Sequence, residues 1–334
     1  MAVTIKDVAR ETNLAISTIS KYMNGGSVRE KNRILIEKAI EKLGYSPNSA
    51  ARGLRTSRSY VVGVITGVIR NPHAAGIVSE IEKSLREKGY ALSFASHDDR
   101  GELAKKYVDY LVDKGVDGLI IDPVRTDVDY LEKAREQKIP VVVLEESFGL
   151  GDVDCVQVDC AGGAYELVEH LVKSGHRKIA VIQGPEYQLT ARERMRGYLR
   201  VHEDYELPVC SDYLVQGDFT YKAGYEGICR LWELEVRPTA VFVTNYEMCL
   251  GAMAAVHRLD IRIPQELSVV SFDDFELSVM VRPKLTTVRQ PLVEMADRAC
   301  EILLRRMDSD YQDFPRKLRL KPEFICRDSV AAWR

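Results

Sequence analysis

Polar and charged side chains follow several of the short apolar runs in this 334-residue sequence. Glu145, Asn245 and Asp273 each come one or two residues after such a run, and His73 and Arg192 lie in the polar segments after two others. Carboxylates and amides can bind vicinal hydroxyls, and a guanidinium suits a hydroxyl or an anion. These residues predict a binding site for a small polar ligand.

Each of these residues also has a simpler explanation. Asp or Asn after a strand often only caps the next helix. Arg192 could form an ion pair with Glu186 or Glu193 on a helix surface, and His73 could be a pocket wall. The residues alone leave both explanations open.

Motifs for catalysis are missing from the sequence. It has no Gly-rich phosphate loop of the Walker type, no H-E-x-x-H, no G-x-S-x-G and no C-x-x-C pair. Gly162-Gly163 lacks the third glycine of a dinucleotide fingerprint. We therefore expect no enzyme, no cofactor and no metal site.

The N-terminal segment has the pattern of three short helices with a tight turn between the first two. Thr4 and Asp7 are spaced like a capping box, Asn13-Leu14 makes a break, and a second helix runs to Gly25-Gly26. A third helix turns its apolar face inward and ends near Gly44. This arrangement places one helix in the major groove of DNA.

Charge is distributed unevenly along the chain. Residues 1–58 hold 11 Lys and Arg against 5 Asp and Glu, whereas the whole chain holds 47 against 50. A basic module on an acidic body favours phosphate contact by the N-terminal end.

These N-terminal residues carry a family resemblance. The runs Ile5–Arg10, Ser17–Lys21 with Asn24-Gly25, and Leu43–Leu54 resemble the LacI/GalR family of transcription regulators, and the similarity continues to about residue 328. It implies an α/β fold with an N-terminal all-α helix-turn-helix headpiece. The rest would be a periplasmic-binding-protein-like core of two doubly wound parallel-sheet subdomains.

The resemblance also implies how the headpiece would bind DNA. Ile16, Ser17 and Lys21 occupy positions that the family uses for base contacts. Phosphate contacts would set the register without reading sequence. The residues that we assign to these are Thr4, Thr18, Asn24 and Asn48. Leu54 resembles the leucine of the hinge helix that opens a base step in the minor groove. The segment Asn24–Arg33 is one residue shorter than is usual in the family.

From residue 60 onward, short apolar runs alternate with amphipathic helices. We predict strands at 60–65, 91–95, 118–121, 141–144, 179–182, 239–243, 267–272 and 323–326. Such alternation is typical of parallel sheets built from βαβ units, whose ligands bind beyond the carboxyl ends of the strands.

The family's effector site maps onto the same polar residues. Arg192, Asn245 and Asp273 match its effector-contacting residues, and Phe219 matches a position that often stacks on the ligand. His73 replaces an aromatic residue that is usual in the family, and Tyr246 replaces its usual aspartate. With Glu145, these residues are our candidate effector contacts.

The predicted organisation has four parts. We assign 1–47 to the headpiece and 48–58 to the hinge helix and linker. The two core subdomains would be 59–160 with 289–320, and 161–288 with 321–334. A palindromic DNA site requires a homodimer. The sequence has no C-terminal heptad repeat, so we do not expect a tetramer held together by a coiled coil.

Three classes compete for the function: a DNA-binding sensor, an exported solute-binding protein and an enzyme. The headpiece and the absence of a signal sequence favour a cytoplasmic regulator, associated with the nucleoid when it binds its operator. We predict a repressor of carbohydrate-utilisation genes that responds to a sugar or sugar phosphate. The alternative is control by a nucleobase or by a phosphorylated carrier protein, since Met280–Pro283 weakly resembles the family branch that uses such a partner.

Overall fold

The computed structural model describes residues 3–23, 26–45, 58–98, 100–124, 130–145 and 152–333. Its contacts divide the chain into two compact units, Met1–Tyr60 and Val61–Arg334. We call the first unit the headpiece and the second the core. No helix among the described residues is both long enough and apolar enough to cross a membrane.

The headpiece contains three helices: α1 (Ile5–Thr12), α2 (Ile16–Met23) and α3 (Glu30–Leu43). The predicted capping box begins α1, because the Asp7 carboxylate accepts hydrogen bonds from the backbone N–H and the hydroxyl of Thr4. Asn13 ends α1 and Gly44 ends α3, both in the left-handed conformation that favours asparagine and glycine.

A small apolar core joins the three helices. Val8 of α1, Ile19 of α2, and Ile36 and Ala39 of α3 are buried together. The Tyr22 hydroxyl donates to Glu37 at 2.8 Å and ties α2 to α3. The predicted inward face of α3 is therefore confirmed, with its other apolar residues partly buried around this centre.

The core contains two six-stranded sheets. The first sheet has the strand order β11-β5-β4-β3-β1-β2, and all its strands are parallel. Its strands are β1 (Val61–Thr66), β2 (Ala91–Ser96), β3 (Gly118–Ile121), β4 (Val141–Leu144), β5 (Asp154–Val158) and β11 (Lys317–Leu320). Its helices in chain order are α4 (Pro72–Glu87), α5 (Gly101–Asp113) and α6 (Glu132–Glu136).

The second sheet has the order β12-β10-β9-β8-β6-β7, in which only β12 is antiparallel to its neighbour. Its strands are β6 (Ile179–Gln183), β7 (Leu214–Gln216), β8 (Ala240–Val243), β9 (Ser268–Phe272), β10 (Thr286–Arg289) and β12 (Glu323–Ile325). The remaining helices are α7 (Cys160–Lys173), α8 (Leu189–Asp204), α9 (Tyr221–Glu233), α10 (Tyr246–Arg258), α11 (Glu276–Met280) and α12 (Leu292–Met307).

The predicted fold class is confirmed, and the predicted strands agree with the structure to within one or two residues. Central strands such as β3 and β8 are buried at every position, as expected for parallel strands covered on both faces. The predicted strands do not include β5, β7, β10 or β11, of which the last three have only three or four residues.

The chain crosses from one sheet to the other three times. The crossings follow β5, β10 and β11, and the second returns the chain to α12, which packs against β3, β4 and β5 of the first sheet. Because β1 to β4 and β6 to β9 are parallel within their sheets, the residues that follow these strands gather at the carboxyl edges.

Candidate functional site

Helix α2 presents a mixed polar and apolar surface to solvent. Ile16 is 43% exposed, and Ser17 and Lys21 are also exposed, whereas Ile19 is buried in the headpiece core. Residues four apart in a helix share a face, so Ser17 and Lys21 are neighbours on this surface. A methyl-rich side chain, a hydroxyl and an ammonium group together offer the contacts that read base edges in a major groove.

The structure describes only two of the four predicted phosphate-contacting residues, Thr4 and Thr18. Thr18 is half-buried on α2, and the Thr4 hydroxyl donates to Asp7 within the capping box. Asn24, Asn48 and Leu54 lie outside the described residues, so their roles remain predictions.

Asp273 is the centre of a polar group at the carboxyl edge of the second sheet. It follows β9 and is buried, and both its carboxylate oxygens accept hydrogen bonds. Gln290 Nε2 donates to Oδ1 at 2.7 Å, and the backbone N–H of Tyr246 donates to Oδ2 at 3.3 Å. Since Gln290 follows β10 where the chain crosses to the first sheet, Asp273 is linked directly to a crossing segment.

Asn245 and Phe219 are held against each other. The Asn245 side-chain oxygen caps α10 by accepting from the Met248 N–H, and its amide donates to the Phe219 carbonyl at 3.3 Å. The Phe219 ring covers Gly184, where an added Cβ would lie only 2.1 Å from the ring. Asn245 therefore has the capping role that the sequence left open, and it also positions the predicted stacking residue.

Arg194 is a buried cation that the sequence analysis missed. It is 5% exposed, its Nη1 donates to the Thr244 carbonyl at 2.6 Å, and its guanidinium carbon lies 3.9 Å from the centre of the Phe272 ring. Burial alone would lower the pKa of Arg194, but the negative charges of Asp273 and Glu145 help to raise it above its ordinary value. Its Nε has no hydrogen-bond partner among the described residues.

Arg192 occupies a different environment on the same helix. Its guanidinium donates to the carbonyl oxygens of Glu186 and Tyr187, at 3.1 and 3.4 Å, on the exposed side of the loop that precedes α8. A sequence signal for Arg194 was present, because Ala191, Arg194 and Tyr198 recur at the spacing of the buried face of α8.

His73 and Glu145 lie at the carboxyl edge of the first sheet and belong to the same polar group as Asp273. His73 Nε2 lies 3.4 Å from Glu145 Oε1. Burial alone would lower the pKa of His73, but Glu145, Asp273 and Asp122 outweigh it and raise that pKa above its ordinary value of 6.5. The charge of Asp273 raises the pKa of both His73 and Arg194, and so does the charge of Glu145, so we call these four residues the electrostatic cluster.

Three of the predicted cleft residues have a left-handed backbone. The φ angles are 66° at Glu145, 65° at Phe219 and 75° at Asp273. Residues other than glycine rarely adopt this conformation, which costs of order 1 kcal/mol or more and tends to cluster at functional sites. The backbone at these three positions thus has an unfavourable conformation, which sets the direction of the three side chains.

A groove of about 800 Å³ borders this cluster at Asp273 and Gln290 and runs between α4 and α12. Apolar and charged side chains both line it, including Leu292 and Asp297. Among the described residues, no His, Cys, Asp or Glu side chains are grouped in a way that could hold a metal ion.

Comparison with known proteins gives matches over both units. Residues 4–48 match the model for bacterial regulatory proteins of the lacI family, and residues 168–330 match that for a periplasmic binding protein-like domain. Catabolite control protein A of Priestia megaterium is 32% identical over 94% of this chain and 95% of its own length.

Two solved structures extend the similarity. The lac repressor dimer bound to operator and the anti-inducer ONPF matches with a TM-score of 0.87 and 27% identity, over 99% of this chain and 100% of that chain. A complex of the transcriptional regulator CelR with cellobiose matches with a TM-score of 0.75 and 26% identity, over 98% and 99% of the two chains.

The helix-turn-helix headpiece and the two-sheet core with its polar cleft define a DNA-binding transcription regulator with an effector-binding core, not an enzyme. Full-length similarity at 32% identity makes the assignment more specific. The chain belongs to the LacI family of bacterial regulators.

Proposed function

We propose that this protein is a repressor of carbohydrate-utilisation genes that binds a palindromic operator as a homodimer and responds to a small sugar in the core. The observation that carries the effector proposal is the cluster of Asp273, Arg194, Glu145 and His73, in which His73 Nε2 lies 3.4 Å from Glu145 Oε1 and Asp273 accepts from Gln290 on the segment that crosses between the sheets. The operator and dimer proposals rest on similarity to the lac repressor dimer.

The chemistry of the cluster favours a polyhydroxy ligand. Carboxylates and a guanidinium can together bind neighbouring hydroxyls, and Phe219 offers an apolar face on which a sugar ring can lie. Arg194 Nε and His73 Nδ1 are shielded from solvent and have no partner among the described residues. Buried polar atoms of this kind cost free energy until a ligand satisfies them. The structure of CelR with cellobiose supports the same class of ligand.

We further propose that the predicted effector contacts act in this cleft: His73, Glu145, Arg192, Phe219, Asn245 and Asp273, with Arg194 added. The proposed division of the core is supported by the sheets, because β11 lies in the first sheet and β12 in the second. In this proposal the regulator acts in the cytoplasm, on the nucleoid.

The effector proposal is tested with a panel of sugars, sugar phosphates and nucleobases in a thermal-shift assay. A ligand at 100 times its dissociation constant should stabilise the protein by about 2.7 kcal/mol. Sugar hits would support the proposal. Stabilisation by nucleobases alone would replace the sugar with a nucleobase, and no hit would favour a protein corepressor.

Variants then locate the site. Asp273→Asn should weaken the best sugar roughly 10- to 100-fold, because a hydrogen bond to a charged group contributes about 1.5–3 kcal/mol. Asp212→Asn, at an exposed position on the second sheet's side of the core, is the matched control. Calorimetry that gives equal affinities for both variants would move the site elsewhere.

A further inference from the structure

His73 and Glu145 form a partly buried acid–imidazole pair at the edge of the first sheet. The side chains are 18% and 13% exposed, and His73 Nε2 lies 3.4 Å from Glu145 Oε1. The backbone N–H of His73 donates to the Asn71 side chain at 2.9 Å, at the start of α4. The backbone of His73 is therefore held at the start of α4, and its ring lies against the carboxylate that follows β4.

The other nitrogen of this ring, Nδ1, is shielded from solvent and has no hydrogen-bond partner in the part of the chain that the structure describes. A polar atom buried without a partner costs about 1–3 kcal/mol. Arg194 Nε, in the same electrostatic cluster, is also without a partner among these residues. Two buried nitrogens of the described residues are thus available to donate to or accept from a ligand.

Carboxylates face His73 from three elements of the core. Asp122 follows β3, Glu145 follows β4 and Asp273 follows β9, and each favours the protonated ring. Together they raise the pKa of His73 above its ordinary value, although burial opposes them. When the ring is protonated both its nitrogens donate, so Nε2 serves Glu145 and Nδ1 can serve a ligand.

We propose that His73 is the proton-dependent donor of the effector cleft, and that its Nδ1–H binds an acceptor oxygen of the effector. Effector binding is then linked to protonation of His73, and the effector must carry a hydroxyl or carboxylate oxygen at this end of the cleft. This inference rests on the proposed sugar-binding function, and it adds a dependence on pH to that function.

The dependence of effector affinity on the protonation of His73 can be given as a change in affinity per pH unit. Only the protonated fraction of the protein binds in full, and above the titration midpoint of His73 that fraction falls about tenfold per pH unit. Effector affinity should therefore be constant at pH values below the midpoint and fall by up to about tenfold per pH unit above it.

The first test needs no ligand. Histidine side chains labelled with ¹⁵N are titrated by NMR in the full-length protein, and His73 is assigned by the loss of its signal in His73→Gln. We expect His73 to titrate above its ordinary value and to titrate at lower pH in Glu145→Gln. A His73 midpoint at or below the ordinary value overturns the inference.

The second test measures the affinity of ribose, cellobiose and the best sugar of the panel across the pH range around that midpoint. Wild type and the control His257→Gln should lose affinity as pH rises, whereas His73→Gln, which keeps an amide donor but cannot titrate, should bind equally at each pH. A sugar that binds wild type with the same affinity throughout overturns this inference alone. If no sugar binds at any pH, the proposed function fails and the proton linkage fails with it.

Discussion

At the scale of single residues, two arginines two positions apart in α8 have different roles in the structure. Arg192 donates to backbone carbonyls on an exposed loop, whereas Arg194 is buried against Phe272 and under the electrostatic influence of Asp273. Burying a cation costs free energy, and the negative charge of Asp273 offsets part of that cost for Arg194. We therefore expect Arg194 to contribute more than Arg192 to effector binding.

This expectation is tested by Arg192→Ala and Arg194→Lys. The lysine keeps a charge but loses the planar, forked donor geometry. We expect it to weaken the best sugar at least about tenfold, equivalent to roughly 1.4 kcal/mol, with a smaller loss in Arg192→Ala. Calorimetry at one pH decides between them, and urea unfolding of both variants serves as the control for stability. A larger loss in Arg192→Ala would return the main role to that residue.

The sequence was sufficient to place Asp273, Asn245 and Glu145 at strand ends, because strand ends follow from local apolar patterns. It could not show that Asn245 also fixes Phe219, or that Gln290 donates to Asp273, since these contacts join residues 26 and 17 positions apart. The family motif led us to assign the effector-contacting arginine to Arg192 and not to Arg194. Helical spacing at Ala191 and Tyr198 would have resolved it in favour of a buried Arg194.

At the scale of elements, the core is stabilised where the chain returns from one sheet to the other. Arg306 near the end of α12 binds Asp154 at the start of β5 through two hydrogen bonds of 2.8 and 3.0 Å. Both side chains are 1% exposed, and Asp154 also accepts from the backbone N–H of Arg316 before β11. One carboxylate thus joins three segments of the first sheet's side of the core.

Asp154→Asn should destabilise the core strongly, because it removes the buried one of the two charges that compensate Arg306, the other being the 40% exposed Asp313. Breaking a buried pair in this way typically costs about 3–5 kcal/mol. Asp113→Asn removes the partner of Lys133 on a surface where Asp113 is 62% exposed, and we expect a loss below about 1 kcal/mol. Urea unfolding measures both. A similar small loss in the two variants would show that the Asp154 pair does not stabilise the core.

At the scale of the whole molecule, the C-terminal segment packs against the second sheet's side of the core, where it contacts His176. His176 is fully buried, and its ring nitrogens lie 2.8 Å from the Thr239 hydroxyl and 3.1 Å from the Ala331 carbonyl. Burial lowers the pKa of His176 to about 4. The neutral ring is therefore the form that holds residues near the C-terminus in place.

The direction of the pH effect follows from this lowered pKa. Between pH 6.5 and about 4 the unfolded chain holds a proton at His176 that the folded chain does not. The free energy of unfolding must therefore fall as the pH falls through this window, by at most roughly 1.4 kcal/mol per pH unit from this group. His176→Gln should show a shallower dependence, measured by urea unfolding at pH 4.5, 5.5 and 6.5, with His257→Gln as the control. Equal slopes in all three proteins would contradict this role.

The two parallel sheets of the core could be predicted from the sequence, because alternating apolar runs and amphipathic helices have few stable arrangements. The assignment of β11 and β12 to different sheets was harder, since both strands are short and half-exposed. Their local patterns do not distinguish them, whereas the pairing of β11 with β5 and of β12 with β10 does. The headpiece was easier because its three helices make mostly local contacts.

We propose that α2 of the headpiece reads the operator sequence. The most direct measurement is selection of bound duplexes from a random DNA pool by wild type, Lys21→Ala and the control Lys38→Ala, which removes an exposed charge from α3. Wild type and Lys38→Ala should enrich one palindromic site. Lys21→Ala should bind that site about 1–3 kcal/mol more weakly and lose preference at one base position in each half-site. Failure of wild type to enrich a palindrome, or an unchanged preference in Lys21→Ala, would contradict this role of α2.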